Sequence, residues 1–174
     1  MAKRPKQRGL PVAVIDNTLL TRLVKLEIAQ FLPWLFKQIL IPPEVKREAF
    51  KAPHKGKRRL QKLIREMTGF FKDCHEADEL IKGFLKADLD EGEAAAIAQA
   101  DYKKAVLLLD EKDGYERAEV MKLTTVRTVN LLNMLKAAGV ISEVKPYYQK
   151  LEDTGFYLKA EVRRQLLAEA GEEE

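Results

Sequence analysis

Four carboxylates draw attention by where they fall in the chain. Asp16 ends the short apolar, β-prone run Val12-Ala13-Val14-Ile15 and is followed by two small polar residues, Asn17 and Thr18. Asp110 ends a second such run, Ala105 to Leu109. Glu48 lies in a predicted helix that follows the apolar run Ile39-Leu40-Ile41 and its stop, Pro42-Pro43. Glu93 sits in the first turn of a helix opened by Asp90-Glu91-Gly92. In a parallel α/β sheet, strand ends and nearby helix first turns converge on the carboxyl edge, where ligands and metals sit. Four carboxylates gathered there repel one another unless a cation neutralises them, and a hard, oxygen-liking ion suits them best. Mg²⁺ or Mn²⁺ held by carboxylates and waters is a standard arrangement for hydrolysing phosphodiesters. The expectation is one metal-binding, catalytic cluster of Asp16, Glu48, Glu93 and Asp110.

Each acid also has an ordinary structural account. Asp16 suits a helix N-cap, a helical Glu48 is usually solvated, and Asp110 and Asp113 suit the start of a turn. Asp90 with Glu93 forms a capping box that explains the glutamate by itself. No single position decides; the combination favours a site. Other chemistries are poorly served. Cys74 and His75 are adjacent with only His54 besides, which is not zinc spacing. Neither a P-loop, nor a GxGxxG, nor a GxSxG elbow occurs.

The elements that must position these acids alternate strand with helix. Strands are predicted at about 11–16, 39–41, 105–109 and 123–126. Helical spacing follows Asn17-Thr18 through Leu19, Leu20, Leu23, Val24 and Leu26, and a short helix surrounds Pro33-Trp34. The alanine-rich helix after Glu93 is nearly bare of side-chain bulk, so it can lie close against a sheet. Gly114 is expected to break the turn after Asp110, ahead of a helix through Ala118 and Met121. Later helices are expected at about 128–138, 144–151 and 159–170, with Gly139 and Gly155 as punctuation. The pattern predicts an α/β fold, three layers α/β/α around a parallel sheet of four to five short strands.

One domain is expected over residues 11–170, behind a basic arm at 1–10 and ahead of an acidic, frayed tail at 171–174. Within it, residues 51–72 form a basic loop–helix insertion. From Lys51 to Arg65 there are seven Lys or Arg and no acid. Lys55, Lys57, Arg58, Arg59, Lys62 and Arg65 are therefore candidate nucleic-acid contacts, in keeping with a net charge of +4. The apolar pair Phe70-Phe71 beside this helix is expected to be exposed and to suit a protein partner. One cysteine excludes an internal disulfide and fits a reducing cytoplasm. No secretory leader and no membrane span are expected.

Val14-Ile15-Asp16-Asn17-Thr18 resembles the first motif of the PIN-domain ribonucleases. Leu40-Ile41-Pro42-Pro43-Glu44-Val45 with Glu48 resembles the second, and Leu89-Asp90-Glu91-Gly92-Glu93-Ala94 the third and most specific. Leu108-Leu109-Asp110-Glu111, Ala118 and Gly139-Val140-Ile141 are similar to a prokaryotic branch of uncharacterised PIN-like proteins. The resemblance covers about residues 11–170 outside the basic insertion. It implies a PIN-like fold and a Mg²⁺- or Mn²⁺-dependent endoribonuclease, with RNA as substrate. Its metal acids would be Asp16, Glu48, Glu93 and Asp110, with Asn17 or Thr18 supporting the first. Glu111 and Asp113 are the fallback for the fourth. Many relatives are toxins of toxin–antitoxin pairs, so an antitoxin-like chain and a homodimer are the protein partners this implies. The alternative is a catalytically silent module that binds RNA or a partner. The chain departs from the branch at Arg127 and Asn130, where glycines are frequent, and at Tyr115, where arginine is.

Overall fold

The computed structural model describes residues 9–51 and 56–173. The basic arm up to residue 8, the segment 52–55 with His54 and Lys55, and Glu174 lie outside the described residues. The strands are β1 (Val12–Ile15), β2 (Gln38–Ile41), β3 (Phe71–Asp73), β4 (Val106–Leu108) and β5 (Thr125–Val126). All pair in parallel, in the order β3-β2-β1-β4-β5. Ala13, Val14, Ile15, Ile39, Ile41, Leu107 and Leu108 are wholly buried, as expected of central parallel strands covered on both faces.

The helices are α1 (Asn17–Leu26), α2 (Pro43–Lys51), α3 (Lys57–Glu66), α4 (Glu79–Leu85), α5 (Glu91–Lys103), α6 (Lys112–Val120), α7 (Thr128–Ala137), α8 (Lys145–Asp153) and α9 (Ala160–Glu169). A 3₁₀ turn spans Ala29–Trp34. The α5 helix packs against β1, β4, α2, α4 and α6, and all of Ala94, Ala95, Ala96, Ile97, Ala98 and Ala100 are buried. Its lack of side-chain bulk is what lets a helix with so many neighbours sit this deep.

The chain leaves β1 for β2 and β3 on one side, then returns to place β4 and β5 on the other. Between β1 and β4 the strand order reverses, which opens a crevice at their carboxyl ends. The register puts Ile15 opposite Leu108, and the Asp16 amide donates to the Leu108 carbonyl at 3.0 Å. Asp16 and Asp110 therefore flank that crevice.

Three expectations are corrected. The Phe70-Phe71 pair is not exposed: the residues are 8% and 2% accessible, their rings edge to face at 5.3 Å. Phe71 opens β3, opposite Ile39 of β2, so the basic insertion ends in an edge strand of the sheet. Gly114 does not break a turn but lies inside α6, where a Cβ would stand 2.9 Å from Leu109 Cδ2. Glu172 is not frayed. Its carboxylate accepts from the Val144 and Lys145 amides at 2.7 and 3.0 Å and from Lys136 Nζ at 2.6 Å. It thereby satisfies donors at the start of α8 that would otherwise lack partners.

Candidate active site

Asp16 is the N-cap of α1. Its Oδ1 accepts from the Leu19 amide at 2.8 Å and its Oδ2 from the Thr18 amide at 3.2 Å. The side chain is thus locked at the end of β1, with only 1% of the residue accessible. Burial pushes its carboxyl well above the usual carboxylate range, and the charges of Asp110 and Glu111 push the same way. The two amide donors oppose this without cancelling it. Capping does not exhaust the carboxylate, since two bonds leave it lone pairs to spare.

Asp110, two residues past β4, is committed elsewhere. Its Oδ1 accepts from the Thr128 amide at 2.8 Å. Its Oδ2 takes the Thr128 hydroxyl and Arg22 Nη1, the latter at 2.5 Å. The Arg22 guanidinium also lies 4.7 Å over the Phe156 ring. Asp110 therefore ties α1, β4 and the start of α7 into one ion-paired knot.

Glu93 does cap its own helix. Its amide donates to Asp90 Oδ1 at 2.8 Å, while its Oε2 accepts from the Asp90 amide at a long 3.4 Å. The second bond is weak by geometry, so the carboxylate is loosely held. Burial first, then the charge of Asp90, then those of Glu111 and Asp113, push its carboxyl up to about 7. A Cβ on Gly114 would lie 3.3 Å from Glu93 Oε1, so a glycine in α6 makes room for this acid.

Glu48 stands further along. Its Oε1 accepts from the Gly92 amide at 2.8 Å, and a Cβ on Gly92 would collide with Oε2 at 2.3 Å. Burial raises its carboxyl, with Asp90 and Glu91 adding. It lines a cleft of about 570 Å³ with Arg47, Lys51, Lys86, Asp90 and Glu91.

The acids thus form a row rather than a knot around one point. Asp16 and Asp110 hold one end, Glu48 and Asp90 the other, and the exposed Glu111 acts on both Asp16 and Glu93. Among the described residues no three His, Cys, Asp or Glu side chains are arranged to hold a metal ion. Asn17 Oδ1, next to Asp16, is buried without a hydrogen-bond partner.

The basic face is where the insertion places it. Arg58, Arg59, Lys62 and Arg65 are exposed on α3 and Lys57 half-buried, while Leu60 anchors the helix in the core. Among the described residues, Arg59 and Lys62 make exposed pairs, with Glu27 at 3.4 Å and Glu66 at 3.7 Å.

Sequence reasoning passed over Arg22 and Thr128. The available signal for Arg22 was a lone arginine among the buried Leu19, Leu20 and Leu23; for Thr128 it was a hydroxyl at a helix start. Two departures from the branch pattern also meet in space. The Arg127 guanidinium lies 5.5 Å over the Tyr115 ring and donates to the Asp110 carbonyl at 3.1 Å.

No curated protein matches the chain. A family model described as a PIN domain, of a family otherwise of unknown function, matches residues 12–172. The chain belongs to the PIN-domain family, whose fold is of nuclease type.

Proposed function

We propose that this protein is a divalent-metal-dependent endoribonuclease whose centre is the crevice between β1 and β4. The observation that carries the reading is the row of desolvated, mutually repelling carboxyls there, with Asp16 raised by burial beside Asp110 and Glu93 lifted to about 7. Such a row is costly to keep charged, and a hard cation is what relieves it. The donors fit in type: Asp16 has spare lone pairs, Glu111 is exposed, and Glu93 is held back only by its 3.4 Å bond to the Asp90 amide.

Asp16, Glu93 and Glu111 are accordingly the residues that would hold Mg²⁺ or Mn²⁺, with Asp113 beyond them. Asp110 organises the centre through Arg22 and Thr128, and Glu48 fixes the first turn of α5 through Gly92. This narrows the ligand set expected from sequence, in which Glu48 and Asp110 were ligands too. When bound, the ion supplies an activated water and charge for the leaving oxygen. The protein's own part is to hold Asp16 rigidly by two amides and to draw the RNA in with the exposed cations of α3.

The test is cleavage of an end-labelled single-stranded RNA with Mn²⁺. The native chain should cut and a chelator should stop it. Asp16→Asn and Glu93→Gln should each lose about a hundredfold, the upper end of what losing even a partner that orients a metal ligand costs. A silent RNA-binding module is the second reading, favoured by the Arg22 pair that already neutralises Asp110. It prevails if the native chain binds the RNA yet cuts no faster than Asp16→Asn.

A further inference from the structure

Beside the acid row, on the outer side of α1, is a pocket of about 230 Å³ lined by Thr18, Thr21, Arg22, Lys25, Thr154 and Phe156, with Asn17 at its edge. Residues 18, 21, 22 and 25 follow helical spacing, so they form one stripe along α1. The opposite stripe, Leu19, Leu20, Leu23 and Leu26, is buried in the core. An ordinary solvent-facing stripe mixes both charges, but no acid lines this pocket. Its polar surface is three hydroxyls, a carboxamide, a guanidinium and an ammonium. The cleft beside Glu48 differs: it is lined by three acids, and two of its three cations, Arg47 and Lys86, are paired with Glu91.

The donors here are largely uncommitted. Among the described residues the hydroxyls of Thr18 and Thr21 and the ammonium of Lys25 make no hydrogen bond or ion pair. A threonine inside a helix ordinarily turns its hydroxyl back to a carbonyl one turn earlier, so a free Thr21 hydroxyl remains a donor for a ligand. Arg22 is fixed on one side by Asp110 and on another by the Phe156 ring, so it forms a rigid wall. That wall also ties the pocket to the centre, since the residue Arg22 grips is Asp110 itself. Asn17 adds a donor: its carboxamide makes no hydrogen bond among the described residues, and while its Oδ1 is shut away from water, its Nδ2 is not. A ribose 2′-hydroxyl, which both donates and accepts, can take that amide hydrogen.

We propose that this pocket is a backbone subsite for RNA, taking a phosphate and ribose next to the bond cut at the acid row. The phosphate meets Lys25, Thr18 and Thr21 against the wall of Arg22, and the ribose hydroxyl meets the Asn17 carboxamide. This rests on the nuclease reading of the neighbouring acids but concerns binding, so it is tested without cleavage. Metal-free protein in chelator is titrated with a labelled ten-nucleotide RNA, and with the DNA of the same sequence, over a range of salt. Lys25→Gln should weaken RNA binding about fivefold and lower the salt slope by about 0.7, the loss of one single-strand phosphate contact. Thr21→Val, nearly the same shape, should weaken binding without changing the slope. Asn17→Ala should shrink the preference for RNA over DNA. Lys104→Gln, at the end of α5, should change nothing.

The proposal is overturned if Lys25→Gln and Thr21→Val bind like the native chain, or if Lys104→Gln loses as much as Lys25→Gln. It is overturned for the ribose if the native chain binds DNA as tightly as RNA. Failure here with Mn²⁺-dependent cutting intact removes the subsite and leaves the nuclease. A native chain that neither binds nor cuts RNA removes both.

Discussion

Glu93 shows how one side chain can cap a helix and still carry a strained charge. Its carboxylate closes a capping box, yet burial and the charge of Asp90 lift its pKa from an ordinary 4.5 to about 7. A carboxyl whose folded pKa is raised stabilises the fold fully below its unfolded value, and that contribution is lost as pH climbs through about 7. In metal-free protein, Glu93→Gln keeps both halves of the box and removes this slope. Thermal melts in chelator at about pH 5 and pH 8 should show the variant gaining on the native chain by about 1–2 kcal/mol, after allowance for solvent screening. A gain in the opposite sense would mean the charge of Glu93 is already compensated. The caps that Asp16 and Glu93 form were legible in sequence because each sits at a strand or helix boundary with its own local pattern. Arg22 was not, because its partner Asp110 is 88 residues away and nothing local marks a cation as inward-facing.

At the scale of elements, the sequence revealed those whose signal extends over several residues. The Val12–Ile15 run, the alanine-rich α5 and the proline-led α2 all occupy the places their composition implies. The miss was β3, three residues long and embedded in a basic segment that otherwise reads as a helix. Its only cue was Phe70-Phe71, and an apolar pair looks the same on a surface as on an edge strand until its partner β2 is known. Finding β3 changes how α3 is understood. The helix is not a loose appendage but is held between α1, which it packs against, and a strand that follows it. Its exposed arginines are therefore presented on a fixed support. Replacing Arg58 and Arg65 together by glutamine should weaken RNA binding and lower its salt slope by about 1.4, two single-strand contacts. An unchanged slope in a salt titration would make the stripe a solvated face.

For the molecule as a whole, the parallel sheet was legible from alternation of strand and helix, but its order was not. Which strands become neighbours depends on crossover packing, which no local pattern records. That order brings the acids into one row, and the row is where a ligand should alter the stability of the entire domain. Mn²⁺ at a hundred times its dissociation constant should stabilise the native chain by about 2.7 kcal/mol, read as a rise in Tm. The rise should be larger at about pH 8 than at pH 5, where Glu93 is protonated and protons compete for the site. It should vanish in Asp16→Asn. An equal rise in that variant would place the ion elsewhere. Among the described residues no helix is long and apolar enough to cross a membrane.

The reversal of strand order also sets a schedule. Asp16 is made early in synthesis, but its neighbours across the crevice, Leu108 and Asp110, are more than ninety residues later, and the Thr128 that holds Asp110 is later still. Contacts of such sequence separation form only once the intervening chain exists and its loop-closure cost has been met. A nascent chain still short of Thr128 therefore has Asp16 at the rim of an incomplete sheet, without the residue that holds Asp110. On the proposed function, a chain that has not yet reached Thr128 does not yet cut.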